Sequence, residues 1–472
     1  MRDIRRPRPG DRIIRISRVK EWRFLLPPVR RPSAHPLPSL LLIYGFAGLI
    51  AIGTILLTLP MSSKTGQFTS LVNALFTATS AVCVTGLVVV DTGNYWSAFG
   101  QAVILVLMQL GGLGFMTAAT LFLLVLGRRI GLRDRLLISE SMGLARLGGL
   151  IKLTRRIALF TLLVEGVGAG LFYVRFAAQH PPPTAAWRSV FQAVSAFNNA
   201  GFDLFGDFSS LMGYGNDALV VLVTAALIIL GGISFIVISD VFSARRFSRL
   251  ALDSKLVLTT TVCLLALGMM VLLITESLNP DTLGVLPITQ KFLDAFFQSV
   301  TARTAGFSTI EIGKMADYSL FFTALLMFIG GAAGSAASGI KVNTFGLLLA
   351  TALSSLRGRE HAGAYHREFT NQVVYRALSV VVLALMLVSI TVLALTVTER
   401  VSFLPLLFET VSAFGNVGLS TGITPELSTA GRLILVATMF IGRLGPLTLA
   451  LAMVQRQQQS TYRYPQGTVR IG

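Results

Sequence analysis

Four glycines, Gly86, Gly201, Gly306 and Gly418, close four versions of one short motif. The versions are FTATSAVCVTGL (Phe76 to Leu87), FQAVSAFNNAGF (Phe191 to Phe202), FFQSVTARTAGF (Phe296 to Phe307) and FETVSAFGNVGL (Phe408 to Leu419). In each, a Phe precedes the glycine by ten residues and a Phe or Leu follows it. The glycines are 115, 105 and 112 residues apart. The chemistry open to such a set is backbone coordination of a cation. Carbonyl oxygens turned toward an axis can replace an ion's hydration shell, and glycine permits the backbone angles and the close approach this needs. The candidate filter is Val84, Thr85 and Gly86; Asn199, Ala200 and Gly201; Thr304, Ala305 and Gly306; and Asn416, Val417 and Gly418. The competing reading is that these glycines only permit tight helix packing in a membrane.

A second pattern follows each motif after some 25–30 residues. It reads LGG (Leu110 to Gly112), LGG (Leu230 to Gly232), IGG (Ile329 to Gly331) and IGR (Ile441 to Arg443). Arg443 thus stands where the other three copies have a second glycine. A charge inside a span costs about 3 kcal/mol on insertion scales, so it must face protein or water. It is expected on the pathway just below the filter, with an ion pair to Glu409 as the alternative. In the third copy the run GGAAGSAASG (Gly330 to Gly339) holds only Gly, Ala and Ser, and Lys341 follows shortly after. Helix propensity is poor there, and Ser335 and Ser338 can bond local backbone instead. A helix broken at membrane depth near 330–341 is expected, although Gly330 and Gly334 also have the spacing of a packing motif. The candidate gate is Gly330, Gly331, Gly334, Ser335, Ser338, Gly339, Lys341 and Arg443.

These residues need elements to hold them, and the composition says which. The chain has 472 residues, 53% hydrophobic and only 13% charged, with a mean hydropathy of +0.71. An ordinary soluble domain is about a quarter charged, so a soluble or disordered chain is excluded. About 20 apolar residues cross a bilayer as helix, and eight such runs occur: 39–60, 100–126, 153–177, 217–242, 253–276, 318–356, 374–397 and 430–455. Between paired runs lie the four motifs, whose apolar stretches suit a re-entrant helix rather than a span. The expected fold is an all-α integral membrane protein of four tandem span–re-entrant helix–span repeats around one central pore. Its parts are a basic arm (1–38), repeat 1 (39–126), an amphipathic linker (127–152), repeat 2 (153–242), repeat 3 (253–356, with its second span broken), repeat 4 (374–455) and a tail (456–472).

The formal net charge is +18. The excess is concentrated in every second connection, and the first 38 residues carry 11 Lys and Arg. By the positive-inside rule this places both termini in the cytoplasm, and it reads as topology rather than nucleic-acid binding. The arm does not have the pattern of a signal peptide. Cys83 and Cys263 lie in apolar sequence and imply no disulfide framework, and none of the four histidines lies in a long apolar run. No HExxH, phosphate-binding loop or paired nucleophile is present, so a membrane-embedded enzyme is the weaker class. A sodium-permeable or proton-coupled carrier of the same architecture stays open, with Glu165 as the best-placed acid for proton coupling.

The stretches TSAVCVTGL, SAFNNAGF, TARTAGF and SAFGNVGLSTG, the broken third-repeat helix and IGRLGP (Ile441 to Pro446) resemble the Trk/Ktr/HKT superfamily of potassium transporters over about residues 39–455. Within it the chain looks most like the KtrB-type membrane subunits of bacterial Ktr uptake systems, because no extra N-terminal spans precede the first repeat. The resemblance implies potassium as the ion, frequent sodium dependence or symport, and the third-repeat loop as the gate. It implies a homodimer in the cytoplasmic (inner) membrane, each protomer with its own pore, regulated by a cytosolic nucleotide-binding ring of the KtrA/KtrC type. In plant relatives a serine at the first filter glycine accompanies sodium selectivity. Gly86 at that place favours potassium. No organic cofactor and no nucleic acid are expected for this chain.

Overall fold

The computed structural model describes residues 38–114, 150–359 and 361–445, all within one unit of the chain, Pro38–Gly472. The arm, nearly all of the linker 127–152 and the tail 456–472 lie outside the described residues, as do the ends of the expected spans 100–126 and 430–455.

Among the described residues the regular elements are helices, with one small hairpin and two isolated bridges. The helices are α1 (Pro38–Thr58), α2 (Leu71–Cys83), α3 (Ala98–Gly112), α4 (Leu150–Phe176), α5 (Pro182–Phe197), α6 (Ala218–Gly232), α7 (Phe235–Ala244), α8 (Leu252–Glu276), α9 (Ile288–Thr301), α10 (Asp317–Phe328), α11 (Val342–Leu356), α12 (Asn371–Thr398), α13 (Phe403–Gly415) and α14 (Thr429–Leu444). Strands β1 (Gly363–Ala364) and β2 (Arg367–Glu368) pair antiparallel between α11 and α12. A short helical turn, Thr92–Tyr95, precedes α3.

Local chemistry sets many of the boundaries. Ser70, Ser97, Asp217, Ser234 and Ser428 cap α2, α3, α6, α7 and α14 by accepting a backbone N–H of the first turn, which satisfies donors a helix start leaves unpaired. Within the described residues three helices are long and apolar enough to cross a membrane: Lys152–Phe176, Leu252–Glu276 and Asn371–Thr398. The chain is a multi-pass helical membrane protein.

Two of the expected spans are not continuous helices. The run 217–242 is expected as one span, yet α6 and α7 meet at 93°. The Gly231–Gly232 pair weakens the helix, and Ser234 starts a new one by capping Ile236. The run 318–356 leaves helix after Phe328 and resumes it at Val342. Between them Ile329 and Ile340 form a parallel bridge.

The short helices α2, α5, α9 and α13 are the most deeply placed. Phe76, Phe191, Phe297 and Phe408 on them are fully buried. In the third motif it is Phe297, one residue past the expected Phe296, that takes this place, and Phe296 is half-buried. Three apolar clusters surround these helices. One joins α1–α3 to α12–α14, one joins α4–α6 to α9, and one joins α8–α10 to α12 and α13. At about 25 cal/mol per Å² of apolar surface buried, such clusters hold the later turns of the short helices, while their first turns keep exposed residues such as Leu71, Ile288 and Phe403.

Candidate functional site

Each short helix hands its chain to a loop of the same handedness. Val84, Asn199, Thr304 and Asn416 have φ of 60°, 56°, 69° and 50°, and the glycines two residues on have 89°, 72°, 80° and 92°. The residue between, Thr85, Ala200, Ala305 or Val417, is not in the positive-φ set. Val84 and Thr304 are β-branched, for which this conformation is a genuine outlier, and such strain persists only where its surroundings over-determine it.

The N–H groups of these loops are tied back to the short helices. Thr85 N–H donates to Ser80 O at 2.7 Å, Ala200 to Ser195 O at 2.8 Å, Ala305 to Thr301 O at 3.0 Å and Val417 to Ser412 O at 2.8 Å. The hydroxyls of Ser80 and Ser412 accept from Gly86 and Gly418, each at 3.1 Å. None of the twelve carbonyls of 84–86, 199–201, 304–306 and 416–418 accepts a hydrogen bond among the described residues. Buried carbonyls are normally paired, so these twelve, in four loops that meet at their glycines, are candidate ligands for a cation.

The four glycines are brought to one place. A Cβ built on Gly86 would lie 2.6 Å from Ala200 O, on Gly201 2.9 Å from Ala305 O, on Gly306 2.6 Å from Val417 O and on Gly418 2.2 Å from Thr85 O. Each glycine abuts the next loop in chain order and the last abuts the first. A Cβ at any of the four would push on the backbone of its neighbour. The ring is closed further by the side chain of Asn416, which donates to Thr85 Oγ1 and to Met439 O.

On one side of this ring opens a cavity of about 470 Å³ lined by all four glycines and by Asp91, Asp203, Asp207 and Glu311. Burial pushes the Asp203 carboxyl up to about 7, against the N–H of Phe205 that bonds it and favours its charged form. The cavity is therefore negative and becomes more so as Asp203 ionises.

The other side is occupied by the segment between α10 and α11. Gly330 N–H donates to Ile340 O and Val342 N–H to Gly331 O, closing its neck. Its middle docks on the end of α6, where Gly232 O accepts from Ala332 and Gly231 O from Ala336. The break after α6 is what leaves those two carbonyls free. Gly334 and Gly339 take φ of 75° and 69°. Arg443 donates to Ala336 O at 2.6 Å and to Ser338 Oγ at 2.8 Å, and also to Gly111 O. It makes no ion pair with Glu409, whose carboxylate accepts from Ser420, Thr421 and Thr424. Ser338 is thus the serine that meets Arg443, while Ser335 bonds local backbone at Ala332 O and Lys341 donates to Ala337 O.

The repeated double glycine has a packing role as well. A Cβ on Gly111, Gly231 or Gly442 would lie within 2.1 Å of the carbonyl of Val82, Phe197 or Phe414, so the first glycine of the pair lets the following helix touch the short one. In the third copy a Cβ on Gly330 would meet Ser338 O instead, because the helix there has unwound.

Some residues that shape the loops escaped the sequence reading. Arg303, three residues before Gly306, is buried and donates to Thr261 O and Gly330 O, linking the third glycine loop to the neck of the α10–α11 segment. A lone charge inside an apolar motif was the available signal. The roles of Ser80, Ser412 and the Asn416 side chain had no signal beyond residue type. Glu165 accepts from Gln109 and Asn198 and is part of a polar cluster between α3, α4 and α5.

The family model described as cation transport protein, TrkH, matches residues 18–464. The Ktr system potassium uptake protein B of Bacillus subtilis is 45% identical over 435 residues, covering 92% of this chain and 97% of that protein. The potassium/sodium uptake protein NtpJ of Enterococcus hirae is 38% identical over 441 residues, covering 92% of this chain and 97% of that protein. Among solved structures, the potassium transporter TrkH from Vibrio parahaemolyticus shares the fold, with a TM-score of 0.70 at 19% identity, covering 92% of this chain and 87% of that one.

Proposed function

Because the chain belongs to the TrkH family of cation transport proteins, we propose that it is the potassium-translocating subunit of a Ktr-type uptake system. The single observation that carries this reading is the set of twelve carbonyls without hydrogen-bond partners in four loops that meet at their glycines. In the proposal these loops are the filter of a single-chain pore built from four span–re-entrant helix–span repeats with eight transmembrane helices. The carbonyls replace the water around a dehydrating potassium ion, and the negative cavity beyond the glycines collects cations for it. Gly86 at the first filter position supports potassium over sodium, and the relatives' names, potassium uptake and potassium/sodium uptake, support both as ions the protein meets.

The segment between α10 and α11, with Arg443, is the gate. It is drawn as closed here because it lies against the loops on the side opposite the cavity, with Gly339 near Gly415 and Gly330 near Thr304. The Ktr name carried by relatives supports a system of several components. We take the further components to be a second copy of the chain and a cytosolic nucleotide-binding ring, with both termini of the chain in the cytoplasm and the protein in the cytoplasmic membrane. Sodium dependence belongs to this proposal.

The test is growth of a bacterial strain stripped of its own potassium uptake on low-potassium medium. Expression of the chain with a regulatory subunit is expected to restore growth, and to restore it less well alone. Failure of a well-expressed, membrane-inserted chain to support growth under both conditions would overturn the reading.

A further inference from the structure

The β1–β2 hairpin folds over the start of α8 and encloses a hollow that the transport reading does not use. The hollow, of about 310 Å³, is lined by Ser248, Arg249, Leu250, Leu252, Lys255, Tyr365 and Arg367. Three of these seven are cations and none is acidic. Neither guanidinium forms a hydrogen bond or ion pair with the described protein, and Lys255 Nζ donates only to Ser248 O, at 2.8 Å. The acids nearby are engaged elsewhere. Asp240 accepts from Ala251 N, Asp253 from Asn343 Nδ2, and Glu368 faces His361. Three like charges gathered around one space repel each other, and none of the three is in an ion pair with a described carboxylate.

The hollow is built rather than incidental. Its roof is Tyr365, held in a two-residue hairpin turn with φ of 52° at Tyr365 and 62° at His366. Such turns favour Asn-Gly because both central residues need positive φ, so a Tyr-His pair there is strained. The strain is held by contacts that fix the Tyr365 ring. Its hydroxyl donates to Thr259 Oγ1 at 3.0 Å, and its ring meets Phe247 edge-on at 6.0 Å. The Lys255 ammonium lies 5.9 Å and 5.8 Å from the centres of the Phe247 and Tyr365 rings. Behind them Leu256, Leu347, Phe369 and Ala377 form a small apolar core that fastens the hairpin to α8, α11 and α12.

Its depth indicates what fills it. Lys255 is in the first turn of α8, a helix of membrane-crossing length. Phe247 beside the hollow and Val262 two turns further along α8 are exposed, at 49% and 65%. A cationic hollow with an aromatic roof, at the point where a spanning helix begins to present apolar side chains outward, lies at the level of lipid phosphates. We propose that this hollow binds the phosphate of an anionic phospholipid, with Arg249, Lys255 and Arg367 around the phosphate oxygens, Tyr365 over the headgroup and the acyl chains running along the exposed face of α8. Arginine suits phosphate because its planar fork can make two parallel bonds to it.

The experiment uses the full chain in detergent and in nanodiscs, with phosphatidylglycerol and phosphatidylcholine as probes and native mass spectrometry as the readout. Wild type is expected to retain phosphatidylglycerol in preference to phosphatidylcholine. The triple variant R249Q/K255Q/R367Q is expected to lose that preference by at least about ten-fold, since each basic residue near the surface contributes to anionic-lipid attraction. A charge-matched variant, K152Q/R357Q/R376Q, is expected to keep it. Tyr365→Phe, which retains the ring and loses the bond to Thr259, is expected to cost less than the triple change and serves if the triple variant does not fold. Equal retention by wild type and both hollow variants would overturn the proposal. So would complete displacement of the lipid by millimolar inorganic phosphate, which would assign the hollow to a free anion. Loss of a cytosolic partner protein by the triple variant with phosphatidylglycerol retention unchanged would likewise overturn it.

Discussion

The side-chain amide of Asn416 donates to the hydroxyl of Thr85 at 2.8 Å, joining the last glycine loop of the chain to the first across 331 residues. The same nitrogen donates to Met439 O at 3.1 Å. One side chain therefore fixes α14 and two loops relative to one another.

Asn416→Ala removes both bonds and leaves buried partners unpaired. Leaving such groups unsatisfied costs about 1–3 kcal/mol each. The expected outcome is a lower thermal midpoint of the purified protein and weaker discrimination between potassium and sodium, read from reversal potentials in mixed baths. An unchanged reversal potential in a destabilised variant would confine Asn416 to a structural role.

Gly86→Ser is expected to relax the same discrimination, because its Cβ presses on Ala200 O from one quarter of the ring. Gly418→Ala, whose Cβ would fall 2.2 Å from Thr85 O at a φ of +92°, is expected to abolish flux. Gly48→Ala in α1 meets nothing within 4 Å and should behave as wild type. Isotope uptake into proteoliposomes compares the three.

Arg443 holds the α10–α11 segment at Ala336 and Ser338 and ties it to Gly111 on α3. A like charge 4 Å from a cation repels it by about 4 kcal/mol at an effective dielectric of 20. Arg443→Gln, and separately a deletion within 332–338, should raise potassium flux and lessen its dependence on a regulatory subunit. Flux at or below wild type in both variants, at normal expression, would put the gate elsewhere.

Asp203 is the group expected to give uptake a pH dependence. Its carboxyl, raised to about 7 chiefly by burial, is mostly protonated at pH 6 and mostly ionised at pH 8. Raising the pH through 7 therefore adds a negative charge to the cavity, and uptake from low potassium is expected to increase over that window. Asp203→Asn should flatten the rise. Because the folded-state value lies above the unfolded one, ionisation also weakens the fold as pH rises from about 4 through 7, so wild type should melt at a lower temperature at pH 8 than at pH 5. Identical pH–flux curves for wild type and variant would exclude Asp203 as the titrating group.

The membrane class and the family were legible in the sequence, because long apolar runs and a recurring glycine motif depend on composition and spacing alone. The contacts between motifs were not. Nothing in the spacing of Gly86, Gly201, Gly306 and Gly418 tells which loop each glycine touches, nor that N–H groups turn back while carbonyls do not. The run 217–242 looked continuous because it is mostly apolar and carries no charge between Asp217 and Asp240. The bend at Ile233–Ser234 arises from the Gly231–Gly232 pair and a serine cap, and it is held by hydrogen bonds to a segment a hundred residues away. Arg443 was legible as anomalous, but its partners are backbone carbonyls, which no residue type announces.

The ring is made by one chain, and its four quarters are unequal. The positions equivalent to Arg443 are Gly112, Gly232 and Gly331, so this level of the proposed pathway carries a single arginine. Four identical subunits could not arrange this: an arginine gained by one would be gained by all, and four charges around one axis would close the pathway to cations for good. A segment as long as the one between α10 and α11, copied four times, would have no room. Tandem duplication within a chain frees one quarter to unwind and another to hold it, while the remaining two keep the glycines that let their helices pack.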